Sequence, residues 1–185
     1  SIINQREVGE HTPSFSSALR DALREDPDVI LVGEMRDLET ISLAITAAET
    51  GHLVFGTLHS NNCAETIERI IDVYPNEEQK NVRLILSNCL QAVVFQTLVN
   101  KMGNLGQVAL YEVLLSNTAI KHLIRENKVA QILSNMETSK GSGMQTMDNA
   151  IMDAVRHSKI SMTEGEAVRR RLGLVPGGIS RRKTR

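Results

Sequence analysis

The stretch from Val29 to Asp37, VILVGEMRD, decides the fold class of this 185-residue chain. Its first four residues are apolar and mostly β-branched, which predicts a buried strand that stops at Gly33 and Glu34. Asp37 is a favourable residue to precede a helix, and apolar side chains then recur at helical spacing as far as Gly51. The stretch therefore predicts a strand that is followed directly by a helix.

A second apolar run, from about Leu53 to Leu58, follows that helix. Strand, helix and strand within about 30 residues are typical of a βαβ unit, in which the two strands are parallel and the crossover is right-handed. The carboxyl ends of parallel strands meet at one edge of the sheet, where α/β proteins bind ligands. Glu34 and His59 are predicted at that edge, whereas His52 begins the second strand and is predicted at the opposite end.

The rest of the chain extends this α/β pattern. Thr12 and Pro13 are predicted to begin an upstream helix, with Thr12 as its cap. Two helices are predicted at 64–72 and 77–93, followed by two strands at 95–99 and 108–115 that are joined by a turn at 101–106. The remainder is predicted as helices at 117–127, 129–136, 144–156 and 162–172, and Ser161 and Glu164 have the spacing of a capping box at the start of the last one. The expected fold class is α/β: a mostly parallel sheet with flanking helices, followed by a helical C-terminal portion.

Composition limits the classes of function. A hydrophobic fraction of 41% with 23% charged residues is that of a soluble globular protein, and no apolar run approaches the ~18 residues of a membrane span. Cys63 and Cys89 do not have the spacing of a zinc site, and both are expected to be reduced and at least partly buried. With two Tyr, three Phe and no Trp, platforms for stacking nucleic-acid bases are few.

Basic residues are concentrated at the C-terminus. Seven of the 21 Lys and Arg residues lie from Ala167 onwards, and no acidic residue accompanies them. Such a tail is expected to be a solvated end, although it could also contact nucleic acid, acidic lipid or an acidic partner.

Glu34 is the main candidate for chemistry. In nucleoside triphosphatases, a carboxylate at such a strand end either helps to hold Mg²⁺ or polarises the attacking water. Spacing alone does not distinguish this role from that of a surface acid at the start of a helix, so longer motifs are needed.

Three ordered motifs supply a resemblance. They are LRDALREDPD leading into VGEMRDLET at 19–40, TGHLVFGTLH at 50–59 and AIKHLIRE at 119–126. From Ser1 to about Val155 the chain resembles the secretion-ATPase superfamily and, within it, the PilT-type twitching-motility ATPases that retract type IV pili. The segment around Glu34 is similar to the family's modified Walker B box, and the segment ending at His59 to its His box. In the third motif Lys121 and His122 replace the family's Arg and Asn.

The resemblance implies a partial RecA-like core and a set of site residues. Glu34 would activate water, and His59 would approach the γ-phosphate or relay the state of the site to a neighbouring subunit. Gly33 and Arg36 would contact nucleotide, with Arg36 ranked ahead of three other arginines that are equally compatible with ion pairs to nearby acids: Arg6, Arg20 and Arg24. The implied domains are the partial core at 1–115, a helical region at 116–172 and a basic tail at 173–185.

The same resemblance implies cofactors, partners and location. These are ATP and Mg²⁺, a homo-hexamer, and the platform protein of the pilus in the inner membrane. The protein is expected in the cytoplasm, at the inner-membrane base of the pilus machine. The protein is also expected to associate with the membrane only through its partners and to have no nucleic-acid partner.

The chain has no phosphate-binding loop of the form GxxxxGK followed by Ser or Thr. The family's acidic box and its N-terminal PAS-like domain are also missing from it, and it begins without methionine. The expected interpretation is a C-terminal fragment of a motor ATPase, unable to hydrolyse ATP by itself.

Two other functions remain open. A pilus-assembly or type II secretion ATPase of the same superfamily usually carries a four-cysteine zinc insertion near residues 101–106, and this chain has no cysteine there. A non-catalytic module, which joins a motor ring or binds a partner, would agree with the missing phosphate-binding loop.

Overall fold

The structure, a computed structural model, describes residues 2–104 and 106–174. Eight α-helices and four β-strands lie in these ranges. In chain order they are α1 (Phe15–Ala22), β1 (Val29–Val32), α2 (Leu38–Glu49), β2 (Leu53–Gly56), α3 (Cys63–Asp72), α4 (Asn76–Cys89), β3 (Ala92–Asn100), β4 (Gln107–Leu115), α5 (Thr118–Arg125), α6 (Ile132–Thr138), α7 (Met147–Arg156) and α8 (Met162–Arg171). None of the helices in the described ranges has the length and apolar character needed to cross a bilayer.

The packing divides the chain into two compact units. Among the described residues, the first unit comprises 2–60, 65–91 and 117–129, and the second comprises 61–64, 92–104, 106–116 and 130–174. This grouping follows contacts and not the order of the sequence, since α5 packs with α4 in the first unit. The division into domains expected at residues 115 and 172 remains a prediction.

The first unit contains the predicted βαβ arrangement. β1 and β2 pair in parallel, with Val29 opposite Leu53 and Val32 opposite Gly56, and α2 connects them. Asp37 caps α2 as predicted, because its carboxylate accepts a hydrogen bond from the Thr40 amide at 2.8 Å. The α/β fold class is confirmed.

One face of this parallel pair is covered and the other is not. Leu19 of α1, with Ala44 and Ala47 of α2, packs against Ile30 and Val32 in a buried core. The alternate side chains are between 45% and 74% exposed: Val29, Leu31, Leu53 and Phe55. Both strands were predicted to be buried. Among the described residues that prediction is wrong for these alternate side chains, because the neighbouring elements pack against one face of the pair only.

Several element boundaries differ from prediction by a few residues, and for two helices the structure shows a local reason. α1 begins at Phe15, because the Ser14 hydroxyl, and not that of Thr12, accepts a hydrogen bond from a first-turn amide, that of Ser17 at 3.1 Å. The helix predicted to reach Val93 ends at Cys89, since Leu90 adopts an extended backbone and β3 begins at Ala92. The apolar residues at this junction fit a helix and a strand equally well by spacing.

The second unit is built on an antiparallel hairpin. β3 and β4 pair over their full lengths, from Ala92 opposite Leu115 to Asn100 opposite Gln107. Both strands were predicted, with the connecting turn at 101–106. Among the described residues, β1 and β2 form the parallel pair, and β3 and β4 form a separate antiparallel pair. The inward side of the hairpin meets α7 and α8 in a core that includes Val99, Leu110 and Ile151.

A buried carboxylate lies in this hairpin. Glu112 is 3% exposed, and its two oxygens accept hydrogen bonds from the amide of Cys63, at 2.7 Å, and from that of Met147, at 3.2 Å. These amides begin α3 and α7, so one side chain satisfies backbone donors at two helix N-termini. Burial, together with Glu112, raises the pKa of the Cys63 thiol, which keeps it protonated. Both cysteines are free and at least partly buried, as expected.

The last helix begins where the sequence predicts. The hydroxyl of Ser161 accepts a hydrogen bond from the Glu164 amide at 3.1 Å. In a capping box, the Glu164 side chain would accept a hydrogen bond from the backbone amide of Ser161. In the structure its carboxylate accepts a hydrogen bond from the backbone amide of Asn100 instead, at 3.3 Å. α8 carries the first three of the clustered basic residues, and the other four, at 181–185, lie outside the described residues.

Candidate active site

The carboxyl ends of β1 and β2 bring Glu34 and His59 together. Glu34 follows β1 by two positions and His59 follows β2 by three, and Nε2 of His59 lies 3.2 Å from Oε1 of Glu34. The parallel pairing produces this contact, because it places both strand ends at one edge of the sheet. The predicted proximity is confirmed, whereas the catalytic roles of the two residues remain predictions.

Arg36 completes a group of three polar side chains. Its Nε lies 2.5 Å from the same Oε1 of Glu34. The Arg36 hydrogen bond lowers the pKa of the Glu34 carboxyl; partial burial opposes this, and the charges of Arg36 and His59 add to it. Glu34 in turn raises the pKa of Arg36. Glu34 is thus an ionised carboxylate that lies between two hydrogen-bond donors, Arg36 and His59, at this edge of the sheet.

The three side chains differ in exposure. That of Glu34 is 20% exposed, whereas those of Arg36 and His59 are 74% and 87% exposed. Both donors can therefore contact a ligand in solvent without unfolding any element. An exposed ion pair contributes little to folding, so the contact between Arg36 and Glu34 can exchange for a contact to a ligand.

Gly33 lies at the same edge, and its carbonyl oxygen accepts a hydrogen bond from the Thr57 hydroxyl. A Cβ atom added to Gly33 would meet the Phe15 ring at 3.6 Å, which is an ordinary contact. Neither packing nor a left-handed backbone requires glycine here, so the absent side chain leaves the backbone open to solvent. Its predicted contact with nucleotide remains a prediction.

The other candidate arginines are not part of this group. Arg6 and Arg20 form ion pairs with Glu25 and Glu39, as the alternative interpretation of these residues predicts. Arg24 lies in the turn after α1. These exposed pairs are worth about 0 to 1 kcal/mol each.

His52 is held by α2. Its Nδ1 lies 3.0 Å from the Ala47 carbonyl oxygen and 3.3 Å from the Thr50 hydroxyl, where α2 ends and β2 begins. These contacts support a structural role for His52 at the opposite end of the strand from His59.

Sequence reasoning missed two polar residues, Thr57 beside Glu34 in the first unit and Glu112 in the second unit. Thr57 bonds to the backbone on both sides of Glu34. It lies within the strand predicted at 53–58, which in the structure ends at Gly56, and its signal was a hydroxyl near the carboxyl end of that predicted strand. The signal for Glu112 was its position as a single acidic residue inside an otherwise apolar predicted strand. Among residues 2–104 and 106–174, His, Cys, Asp and Glu form no group of three or more that could hold a metal ion.

Comparison with known proteins identifies relatives of this chain. The family model for the type II/IV secretion system protein matches residues 2–167. A twitching motility protein of Neisseria gonorrhoeae is 56% identical over 92% of this chain and 45% of its own length. A type IV pilus retraction ATPase, PilT, of Pseudomonas aeruginosa is 57% identical over 86% of this chain and 46% of its own.

A solved structure agrees with these sequences. The crystal structure of the pilus retraction motor PilT with bound ADP superposes with a TM-score of 0.83 at 51% identity, covering 90% of this chain and 47% of that one. The chain spans less than half the length of these relatives. With its Walker B-like and His-box-like segments joined at one sheet edge, the chain belongs to the type II/IV secretion system protein family.

Proposed function

We propose that these residues form part of a hexameric ATPase that powers the retraction of type IV pili. The observation that carries the proposal is the convergence of Glu34, Arg36 and His59 at the carboxyl ends of two parallel strands. The names of two similar relatives, a twitching motility protein and a retraction ATPase, support the same assignment.

Glu34 orients the attacking water in this proposal. Its lowered pKa keeps it ionised, so that it accepts a hydrogen bond from water near neutral pH. Arg36 and His59 are donors at the same edge and suit the charge of a γ-phosphate. When Arg36 turns to phosphate, Glu34 loses the hydrogen bond that lowers its pKa most, and its carboxylate becomes a better proton acceptor.

The residues at this edge fit ATP and Mg²⁺ in part. The exposed cations beside Glu34 match a polyphosphate, and a carboxylate oxygen is a ligand that Mg²⁺ accepts, directly or through water. When bound, Mg²⁺ would neutralise charge that develops on the phosphates. The backbone amides that cradle phosphates are not supplied by these residues, which contain no GxxxxGK motif.

Retraction is favoured over assembly or secretion by the β3–β4 connection. Between Asn100 and Gln107 this turn is short and contains no cysteine, so a four-cysteine zinc insertion is absent. Nucleic acid is not among the proposed partners, because the sequence supplies few aromatic residues on which bases could stack.

Partners and location follow from the same proposal. The protein would act as a homo-hexamer in the cytoplasm, at the inner-membrane base of the pilus machine. It would reach the membrane through the platform protein of the pilus and other protein partners only.

The test is Glu34→Gln in a full-length protein that contains this chain. The substitution keeps the shape of the side chain and removes its charge, so hydrolysis should fall about 10²- to 10⁴-fold while the protein still folds and binds ATP. Steady-state hydrolysis and ATP binding by calorimetry give the two readouts. Normal hydrolysis by this variant would show that Glu34 is only an acid at the start of a helix.

The 185-residue chain alone is the companion sample. We expect no hydrolysis above background and weak nucleotide binding from it, because phosphate contacts supply most of the affinity at such sites. Tight ATP binding by the chain alone would mean that the phosphate site lies elsewhere. A full-length protein that does not hydrolyse ATP would instead favour a non-catalytic module.

A further inference from the structure

Thr57 bonds to the residues on both sides of Glu34. Its hydroxyl donates to the carbonyl oxygen of Gly33, and its own carbonyl oxygen accepts from the amide of Met35 at 3.0 Å. From these contacts we propose that Thr57 is a positioning residue, which fixes the Glu34 carboxylate for the activation of water. The proposal rests on the proposed function.

The segment around Glu34 has no regular structure of its own. The β1–β2 ladder ends at the pair Val32 and Gly56, and α2 begins only at Leu38. Glu34 therefore lies in a connection where ladder bonds and helix bonds are both lacking. Thr57 continues the register by one residue, because it follows Gly56 just as Gly33 follows Val32.

Met35 supplies a further restraint next to Glu34. A Cβ atom on Gly56 would lie 2.5 Å from Cε and 2.6 Å from Sδ of Met35, so this side chain rests directly on the backbone of β2. Met35 is also partly buried against the core of the first unit. The neighbours of Glu34 are thus held on both sides, while its side chain faces the edge that holds His59.

Such a restraint acts on rate more than on folding. Displacement of a catalytic group by about 1 Å can cost about 10²-fold in rate, because water and base must be aligned. Thr57 and Gly33 are exposed, so the carbonyl oxygen left by loss of the hydroxyl can bond to water instead. Valine has the shape of threonine without the donor, and it suits an extended segment equally well.

The experiment compares Thr57→Val with Thr57→Ser in the full-length protein. We expect Thr57→Val to lower kcat for ATP hydrolysis about tenfold or more, with KM for ATP changed less than about twofold. Thr57→Ser keeps the donor and should retain most of the rate. Thr46→Val is the matched control, since it removes a hydroxyl that donates to the Ser42 carbonyl oxygen within α2, at 2.8 Å.

A double-mutant cycle separates positioning from general damage. If Thr57 acts through Glu34, then Thr57→Val should lower the residual rate of the Glu34→Gln protein little, because the two losses are not additive. A wild-type rate in Thr57→Val would overturn the proposal. The proposal would also be overturned if Thr57→Val lowered the rate by the same factor in the wild-type and the Glu34→Gln proteins.

A readout independent of activity keeps the two proposals apart. In the 185-residue chain, hydrogen exchange of the Met35 amide should be faster in Thr57→Val than in wild type, because loss of the hydroxyl bond to Gly33 loosens the contact between Thr57 and Met35. Exchange should be unchanged in Thr57→Ser, which keeps the hydroxyl. If wild-type full-length protein hydrolyses no ATP, the proposed function fails, and this exchange still tests the restraint. Equal exchange rates in Thr57→Val and wild type would show that Thr57 does not hold the segment.

Discussion

The Nε2 atom of His59 and the Oε1 atom of Glu34 lie 3.2 Å apart at the ends of two parallel strands. His59 is 87% exposed, so removal of its ring should leave the packing of the first unit intact. We expect His59→Ala to lower ATP hydrolysis by the full-length protein about 10- to 100-fold, because a donor to the carboxylate or the γ-phosphate is lost. Steady-state hydrolysis measures this effect.

Lys183→Ala is the control for the His59 variant. It removes a cation from the basic tail, outside the described residues, and should leave the rate unchanged. Unchanged hydrolysis in His59→Ala, with folding preserved, would contradict a role for this histidine at the site.

Arg36→Gln should raise the pKa of the Glu34 carboxyl towards its ordinary value. The Arg36 hydrogen bond is the largest cause of the lowered pKa in the folded chain. Because that pKa is depressed by folding, the stabilisation from this pair is present above the pKa of the unfolded chain. It is lost as the pH falls through the lower pKa of the folded chain. An NMR titration of the Glu34 carboxyl carbon should give a higher midpoint in the variant.

The same substitution moves the pH dependence of hydrolysis. In the full-length protein, the acidic limb of the kcat/KM profile should shift to higher pH in Arg36→Gln, because Glu34 then protonates at higher pH. Arg20→Gln is the matched control, since Arg20 pairs with Glu39 instead. A Glu34 midpoint that is equal in wild type and Arg36→Gln would show that the ion pair is not formed in solution.

Local signals in the sequence predicted the part of the fold that places the site. The β-branched run before Gly33 identified β1, and Asp37 and Ser161 identified the starts of α2 and α8, because each effect depends on neighbouring residues alone. The contact between Glu34 and His59 followed from parallel pairing, which fixes where both strand ends lie.

Features that depend on distant residues were not predictable in this way. The exposure of Leu31 and Phe55 depends on what covers the sheet, and the end of α4 depends on pairing of β3 with β4. The contacts of Thr57 and Glu112 join residues far apart in the sequence, so neither pattern nor propensity reveals them.

Glu112→Ala should destabilise the chain by about 3 kcal/mol or more. The substitution leaves the amides of Cys63 and Met147 buried without their acceptor, at about 1 to 3 kcal/mol for each lost partner. Glu112→Gln keeps the volume and one acceptor oxygen, so about half of that loss is expected. Urea unfolding of the 185-residue chain measures the free energies.

Glu164→Ala is the matched control for Glu112. Its carboxylate also accepts a hydrogen bond from a backbone amide, that of Asn100 at 3.3 Å, but the contact is exposed and water can replace it. A loss below about 0.5 kcal/mol is expected. Equal losses in the Glu112 and Glu164 variants would argue against the dual capping role of Glu112.

Gly165→Ala tests the contact of α8 with α7. A Cβ atom at this buried position would lie 2.9 Å from Cγ2 of Val155 and 3.3 Å from Cγ2 of Ile151, so the helices must separate or the β-branched side chains must shift. Alanine gains about 1 kcal/mol over glycine within a helix, and overpacking costs about 1 to 3 kcal/mol. A net loss of about 1 kcal/mol is expected in the free energy of unfolding.

The control for this variant is Gly141→Ala. Nothing lies within 4 Å of a Cβ atom at Gly141, and its backbone is not left-handed, so alanine should be neutral or stabilise by up to about 1 kcal/mol. Urea unfolding of both variants then separates close packing from the general effect of replacing glycine. A gain in stability for Gly165→Ala equal to that of Gly141→Ala would mean that α7 and α8 are not in close contact at this position.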